Sequence, residues 1–239
     1  MHPVNAIIFF AYAPALALLW YFYHRDRYEP EPKRYVLGTF IMGATLSVGV
    51  AMFLEAVLTG GGNFGVGGYA LLPVSAFYIA LVAGIVEEPS KALAIRWPFN
   101  AGQMDGVMDG IVYGVAAGLG FAATENLLYG LGYGLGTTIL RAFLTPFAHA
   151  TWSAIIGVGY GLRAEGKTPS LFPYYVIAMA LHFFWDYFAF LSIGVPAYSI
   201  FTILLIFINV AIIRYFLMIG EREDMARWWY RVWRVRKYE

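Results

Sequence analysis

The sequence predicts an all-α polytopic transmembrane helical bundle, and three observations carry that prediction. Of 239 residues, 60% are hydrophobic and only 13% are charged, where a soluble domain carries about 25% charge. The mean hydropathy is +0.64. The charges gather between apolar runs, each long enough for a hydrocarbon core of about 30 Å. Strands of alternating polarity, the mark of a membrane β-barrel, are absent.

Seven runs can be placed in order. The first, 4–23, has no basic region before it and is long enough to span, so it reads as a helix rather than a cleaved signal. The second, 35–58, lies between "HRDRYEPEPKRY" and the glycine-rich "TGGGNFGVGG". The third, 70–96, contains "GIVEEPSKALAI". The fourth, 107–131, opens with the small-residue stripe Gly110, Gly114, Gly118 of "GIVYGVAAG", a spacing that lets helices approach closely. The fifth and sixth, 138–162 and 171–192, each carry a histidine near the middle. The seventh, 196–218, leads into a basic, aromatic tail at 219–239. The whole of 1–239 reads as one domain. The second connection and "GLGYGLG" read as flexible loops.

Basic residues give the direction. Arg25, Arg27, Lys33 and Arg34 lie in the first connection, Arg96 in the third, Arg163 and Lys167 in the fifth. The tail adds Arg222, Arg227, Arg231, Arg234, Arg236 and Lys237; the second and sixth connections have none. Arg141 is the one discordant charge. The positive-inside rule then predicts the N-terminus outside and the C-terminus cytoplasmic. The tail's interleaved Trp and Arg suit an interfacial anchor on the lipid bilayer rather than a nucleic-acid patch. No cysteine is present, which removes disulfides, iron–sulfur clusters and thiolate nucleophiles.

The informative residues are the ionisable ones inside the runs, because each costs about 2.5–3.5 kcal/mol at mid-membrane on insertion scales. They are Glu87, Glu88, Lys91, Glu125, His149, His182 and Asp186. Glu55, Asp105, Asp109 and Arg141 fall nearer span ends and read as caps and interface pairs. Glu125 shares the face of Gly114 and Gly118, so it points into the protein. Glu87 with Lys91, and His182 with Asp186, are spaced i, i+4 and can pair. Pro89 cannot donate to the Ile85 carbonyl and biases Glu88 away from the helical region, so a kink and a small wet cavity are expected beside the acids. Thr145, His149 and Ser153 share a face, but such hydroxyls usually bond their own helix carbonyls.

Taken in order, "EEPSK", "DGIVYGVAAGLGFAATEN", "PFAHATWSAIIG" and "HFFWD" resemble the PrsW-type family of membrane proteases. That family is a distant branch of the glutamate intramembrane proteases that include the CAAX prenyl proteases. The resemblance covers roughly residues 70–190. It implies site residues Glu87, Glu88, Glu125, His149, His182 and Asp186, with Lys91, Asn126, Phe121 and Pro89 supporting them. The CAAX branch has histidine at the position of Glu125 and prefers asparagine at that of Asp186. The resemblance also implies hydrolysis of membrane-anchored proteins, with anti-sigma factors as one substrate class and site-1-type cleavage as one form. A prokaryotic cell membrane is the expected location.

The chemistry suits those residue types. Glu87 is the expected base for water, with Glu88 the fallback; His149 would orient the water, and His182, set by Asp186, would donate a proton. No cofactor is expected. Zinc would suit two histidines and a carboxylate, but H-E-x-x-H is missing and the histidines lie on different helices. The alternatives from other classes are a proton-coupled transporter or channel, which the same acids and histidines would serve, and a non-catalytic scaffold.

Overall fold

A computed structural model describes residues 2–60 and 73–238, with side chains through residue 233. The glycine-rich second connection therefore lies almost wholly outside the described residues. Among the described residues seven helices follow one another: α1 (Pro3–Tyr23), α2 (Lys33–Leu58), α3 (Pro73–Asn100), α4 (Val107–Tyr133), α5 (Leu135–Ala164), α6 (Phe172–Gly194) and α7 (Ser199–Tyr238). A 3₁₀ turn, Pro196–Tyr198, precedes α7. No strand occurs among the described residues.

Five of the helices, α1, α2, α4, α6 and α7, are long and apolar enough to cross a membrane. The other two, α3 and α5, have 28 and 30 residues, ample for a span. Their hydropathy is lowered by the acids, bases and histidines that the sequence marks as chemical. Burial separates the layers. In α4, 94% of the most apolar stretch is buried within the protein, against 33% in α1 and 22% in each of α2, α6 and α7. α4 is thus the axle of the bundle, and side chains such as Trp20, Phe53, Phe143, Phe172 and Phe207 face outward, toward lipid.

Glycine lets the axle seat. A Cβ on Gly114 would come within 2.8 Å of Ala154 Cα, and one on Gly118 within 2.8 Å of the His149 carbonyl carbon. The two backbones are in contact, as the small-residue stripe predicts. On the opposite side α2 contains a π-helical turn, Gly43–Ser47. Such a turn leaves a carbonyl for another donor, and Thr124 Oγ1 donates to Ala44 O at 2.8 Å, one residue before Glu125.

Three expectations are corrected. Residues Gly130–Tyr133 belong to α4 and Leu135 begins α5, so "GLGYGLG" is no loop: the reversal rests on Gly134 alone, with φ +89°, a conformation that costs glycine little. The final helix continues 20 residues past the apolar run that ends at 218, through the tail to Tyr238. And α3 is helical through Glu88 and Pro89; packing on neighbouring helices outweighs the local bias on Glu88, and just past the proline Ser90 Oγ donates to Val86 O at 2.7 Å.

The first, third and fifth connections and α7 are pinned together at one end of the bundle. Arg227 donates to Asp105 Oδ1 at 2.8 Å and to Glu165 Oε1 at 3.0 Å. Lys167 reaches Glu223 at 3.0 Å, Arg25 pairs with Glu221, and Arg231 with Glu29. Beneath them Asp109 Oδ2 accepts the Asp105 and Gly106 amides at 2.6 and 3.1 Å, capping α4. Tyr113 donates to the buried Glu31. Burial, reinforced by the charge of Asp109, pushes Glu31 up to about 9 and Asp26 up to about 7.

Two outcomes follow. Gly114→Ala should destabilise the chain by about 1–3 kcal/mol in chemical unfolding from micelles, by overpacking α4 on α5, whereas Gly132→Ala, which faces open space, should not. A carboxyl raised in the folded state contributes stability that is complete below its unfolded value of 4.5 and is lost as pH climbs through about 9. The melting temperature of Glu31→Gln, which keeps an acceptor for Tyr113, should therefore fall less steeply than that of wild type across that window.

Candidate active site

Gly84 sets the approach of α3 to α6, since a Cβ there would lie 2.8 Å from Met179 O. One turn further, adjacent residues on the helix point about 100° apart, and Glu87 and Glu88 take different surroundings. Glu88 is fully buried. Its Oε1 accepts from Lys91 Nζ at 2.7 Å and from His182 Nδ1 at 2.8 Å. Glu87 keeps 8% of its side chain accessible. Its Oε2 lies 3.3 Å from Lys91 Nζ and 3.8 Å from His182 Nε2, with no hydrogen-bond partner.

Lys91 is wholly buried and joins three helices. Its ammonium meets Glu88 and Glu87 on α3 and His149 Nδ1 on α5 at 2.8 Å, and it sits 4.4 Å from the centre of the Phe121 ring on α4, a cation–π arrangement. An ammonium has only donors, so Nδ1 of His149 accepts and Nε2 carries the hydrogen. That Nε2 faces Glu125 Oε2 at 3.3 Å. Phe121 stacks on the His149 ring at 5.8 Å and 20°.

Glu125 is held by Arg141 at 2.8 Å. Asn126 Oδ1 accepts from Arg141 Nε and Thr145 Oγ1, both at 2.9 Å. His182 is clamped by its 4.4 Å stack on Trp152, whose Nε1 donates to Asn209 Oδ1 at 3.2 Å. Asp186 Oδ2 stands 3.4 Å from His182 Nε2.

All six residues expected at the site are thus in one cluster, with Lys91, Phe121 and Asn126. Pro89 lies half-buried on the same helix. One detail differs from expectation. The shortest hydrogen bond of His182, from Nδ1, goes to Glu88, while Asp186 faces Nε2 at 3.4 Å. Arg141, read as an interface pair near a span end, is the counter-ion of Glu125. Glu55, also assigned to an end, has Glu87 and Glu125 as its main charged neighbours. Trp152 and Asn209 were missed. Trp152 follows His149 by three residues, one turn, which is the signal available in the sequence; Asn209 has none. Thr145 bonds its own helix at Arg141 O, and Ser153 forms no bond to His149 among the described residues.

The donor types also suit a divalent metal. Glu87, His149 and His182 offer ligand atoms within 4.8 Å of one another, all buried, and two histidines with a carboxylate form a zinc-type set. Lys91 bears on that set: its ammonium already faces two of the three donors, and an ion would compete with it for the same lone pairs.

Fold and site together define a membrane-embedded helical protein whose buried centre is an acid–base cluster of carboxylates, histidines and one lysine. The chain belongs to the PrsW family: residues 31–213 match the family described as "PrsW family intramembrane metalloprotease". It is 33% identical over 150 residues to Protease PrsW of Geobacillus kaustophilus, covering 62% of this chain and 63% of that protein. It is 37% identical over 161 residues to Protease PrsW of Bacillus subtilis, covering 65% and 68%. No solved structure matches the chain.

Arg141→Met should leave Glu125 without its counter-ion and cost about 3 kcal/mol. The double variant Arg141→Met/Glu125→Met should recover most of that loss in the same unfolding measurement.

Proposed function

We propose that this chain is an intramembrane endopeptidase in which Glu87 activates water against peptide bonds of membrane-anchored proteins. The observation that carries the reading is the division of labour between the two glutamates. Glu88 Oε1 is occupied by Lys91 and His182, while neither carboxylate oxygen of Glu87 has a hydrogen bond to match and 8% of its side chain remains accessible. Among the described residues Glu87 is held only by the 3.3 Å ion pair with Lys91 and the 3.8 Å approach of His182. Donor atoms of Glu87, His149 and His182 lie within 4.8 Å of one another, a gap that one water bridges with two bonds of about 2.8 Å.

In this mechanism Glu87 takes a proton as the water oxygen attacks the scissile carbonyl carbon. His149, fixed by Lys91 and Phe121, orients the water. His182, held through Nδ1 by Glu88, presents Nε2–H to the developing oxyanion and then gives a proton to the departing amine as the C–N bond breaks. The proton gained by Glu87 returns the site to its starting state through His182. Asp186, 3.4 Å from that same Nε2 of His182, steadies it before the oxyanion forms. The substrate class is a membrane-anchored regulatory protein, of which an anti-sigma factor cut in a site-1 manner is the leading example. The chain sits in a prokaryotic cell membrane with its N-terminus outside and its pinned, basic end in the cytoplasm.

A second reading is favoured by the ligand set and by the family description. Glu87, His149 and His182 would hold a divalent ion, whose chemistry there is polarisation of the carbonyl and acidification of water. The residues would keep their roles of orienting substrate and moving protons.

Cleavage of a membrane-anchored substrate by purified protein in vesicles separates the readings. Glu87→Gln should slow turnover by about 100- to 10,000-fold, with His149→Ala and His182→Ala also impaired. Full activity in these folded variants sinks the proposal. Stoichiometric metal in the active protein, with loss of cleavage on chelation and recovery on re-addition, would establish the metal-dependent form.

A further inference from the structure

A cavity of about 820 Å³ opens between the end of α1 and the middle of α7, well away from the acid–base cluster. Neither helix closes it. Among the described residues, no Cα of α1 comes within 8 Å of one in α7, although both pack on α4. Four arginines line it, Arg25, Arg27, Arg214 and Arg222, against one acid, Glu221. Arg25 is paired with Glu221. The other three are exposed and make no ion pair among the described residues. The remaining wall is amphipathic, with Tyr21 and Tyr215 beside Leu217, Met218 and Met225.

The depth of the cavity is given by the charges. No Asp, Glu, Lys or Arg occurs in 3–23 or in 199–213. Arg25 and Arg214 are the first such charges that each helix presents, so the cavity straddles the boundary between hydrocarbon and head groups. Unpaired arginine forks match phosphate geometry. The adjoining methionine and leucine wall matches an acyl chain. A groove between two spanning helices, positive at its mouth and apolar beneath, has the chemistry of an anionic phospholipid.

We infer that Arg27, Arg214 and Arg222 form a binding site for the phosphodiester head group of an anionic phospholipid, with its acyl chain along α7 between α1 and α7. The site rests on the membrane-spanning reading and is independent of the proteolytic one. Because Asp26 is buried among the acids that pin the loops and Glu221 holds Arg25, a lipid here adjoins the clasp that gathers this end of the bundle.

The test uses the full chain in neutral detergent micelles, titrated with palmitoyl-oleoyl phosphatidylglycerol, palmitoyl-oleoyl phosphatidylcholine or inorganic phosphate, with binding read by native mass spectrometry. Wild type should hold phosphatidylglycerol in preference to phosphatidylcholine, and inorganic phosphate should not displace it. At roughly a factor of five per arginine, Arg27→Gln/Arg214→Gln/Arg222→Gln should weaken phosphatidylglycerol about a hundredfold, with an unchanged melting temperature in lipid-free micelles. Lys33→Gln/Arg34→Gln/Arg96→Gln, which removes the same charge from exposed positions outside the groove, should stay within about threefold of wild type. Retention of lipid by the first triple variant, equal weakening in the second, or equal hold on phosphatidylcholine or on inorganic phosphate overturns the inference. Wild-type protein that binds an acidic peptide in this groove and no lipid also overturns it.

Discussion

The buried ammonium of Lys91 is the interaction on which the rest of the site depends. A lone charge in a low-dielectric interior is costly, and it is tolerated only where opposite charges and acceptors surround it. Lys91 has Glu88 at 2.7 Å, Glu87 at 3.3 Å and the His149 lone pair at 2.8 Å, with the face of Phe121 beneath it. Those contacts settle the tautomer of His149, neutralise one carboxylate of an adjacent pair, and tie α3 to α5 across α4. Removing the cation would leave two acids side by side with only His182 facing them, so the lysine is as much a part of the cluster as the carboxylates and histidines.

That arrangement needs close helix packing. The ammonium reaches α5 because glycines on α4 bring backbones into contact, and it is shielded because α4 is enclosed on nearly every side. His182 is brought to Glu88 by the absence of a side chain at Gly84 and is held flat by Trp152. Asn209 then links Trp152 to α7, so a helix at the periphery also bears on the histidine. The polar cluster is satisfied unevenly: Glu87 Oε2, Glu88 Oε2 and Glu125 Oε2 have no hydrogen-bond partner among the described residues, while Glu88 Oε1 has two. Carboxylate oxygens left open in this way are where a water or substrate group would dock.

The opposite end of the molecule solves a different problem. There the chain must hold four separate segments at a membrane boundary, and it does so with Arg227, Lys167 and Arg25 spread over acids from the loops and α7. Buried carboxyls such as Glu31 and Asp26 are retained in a form that favours the proton, which links the cohesion of this end to pH. Three arginines in the neighbouring groove are left out of the clasp, and this surplus of positive charge is what distinguishes the groove from the paired network beside it.

Much of this was legible in the sequence. Composition and run length determined the helical membrane class, because transfer of apolar surface and the spanning length are sums over local residues. The i, i+4 spacings and the cost of intramembrane charge marked Glu87, Glu88, Lys91, Glu125, His149, His182 and Asp186 as the residues to watch. The limits lay where a local rule meets a packed neighbour: Pro89 biases Glu88 away from the helical region, yet α3 runs through both, and His182 Nδ1 donates to Glu88. Only the tertiary structure decided which glutamate is committed and which is open. That choice is made by partners 58 and 94 residues apart, His149 on Lys91 and His182 on Glu88, and no pattern along one helix encodes where two others will place their rings.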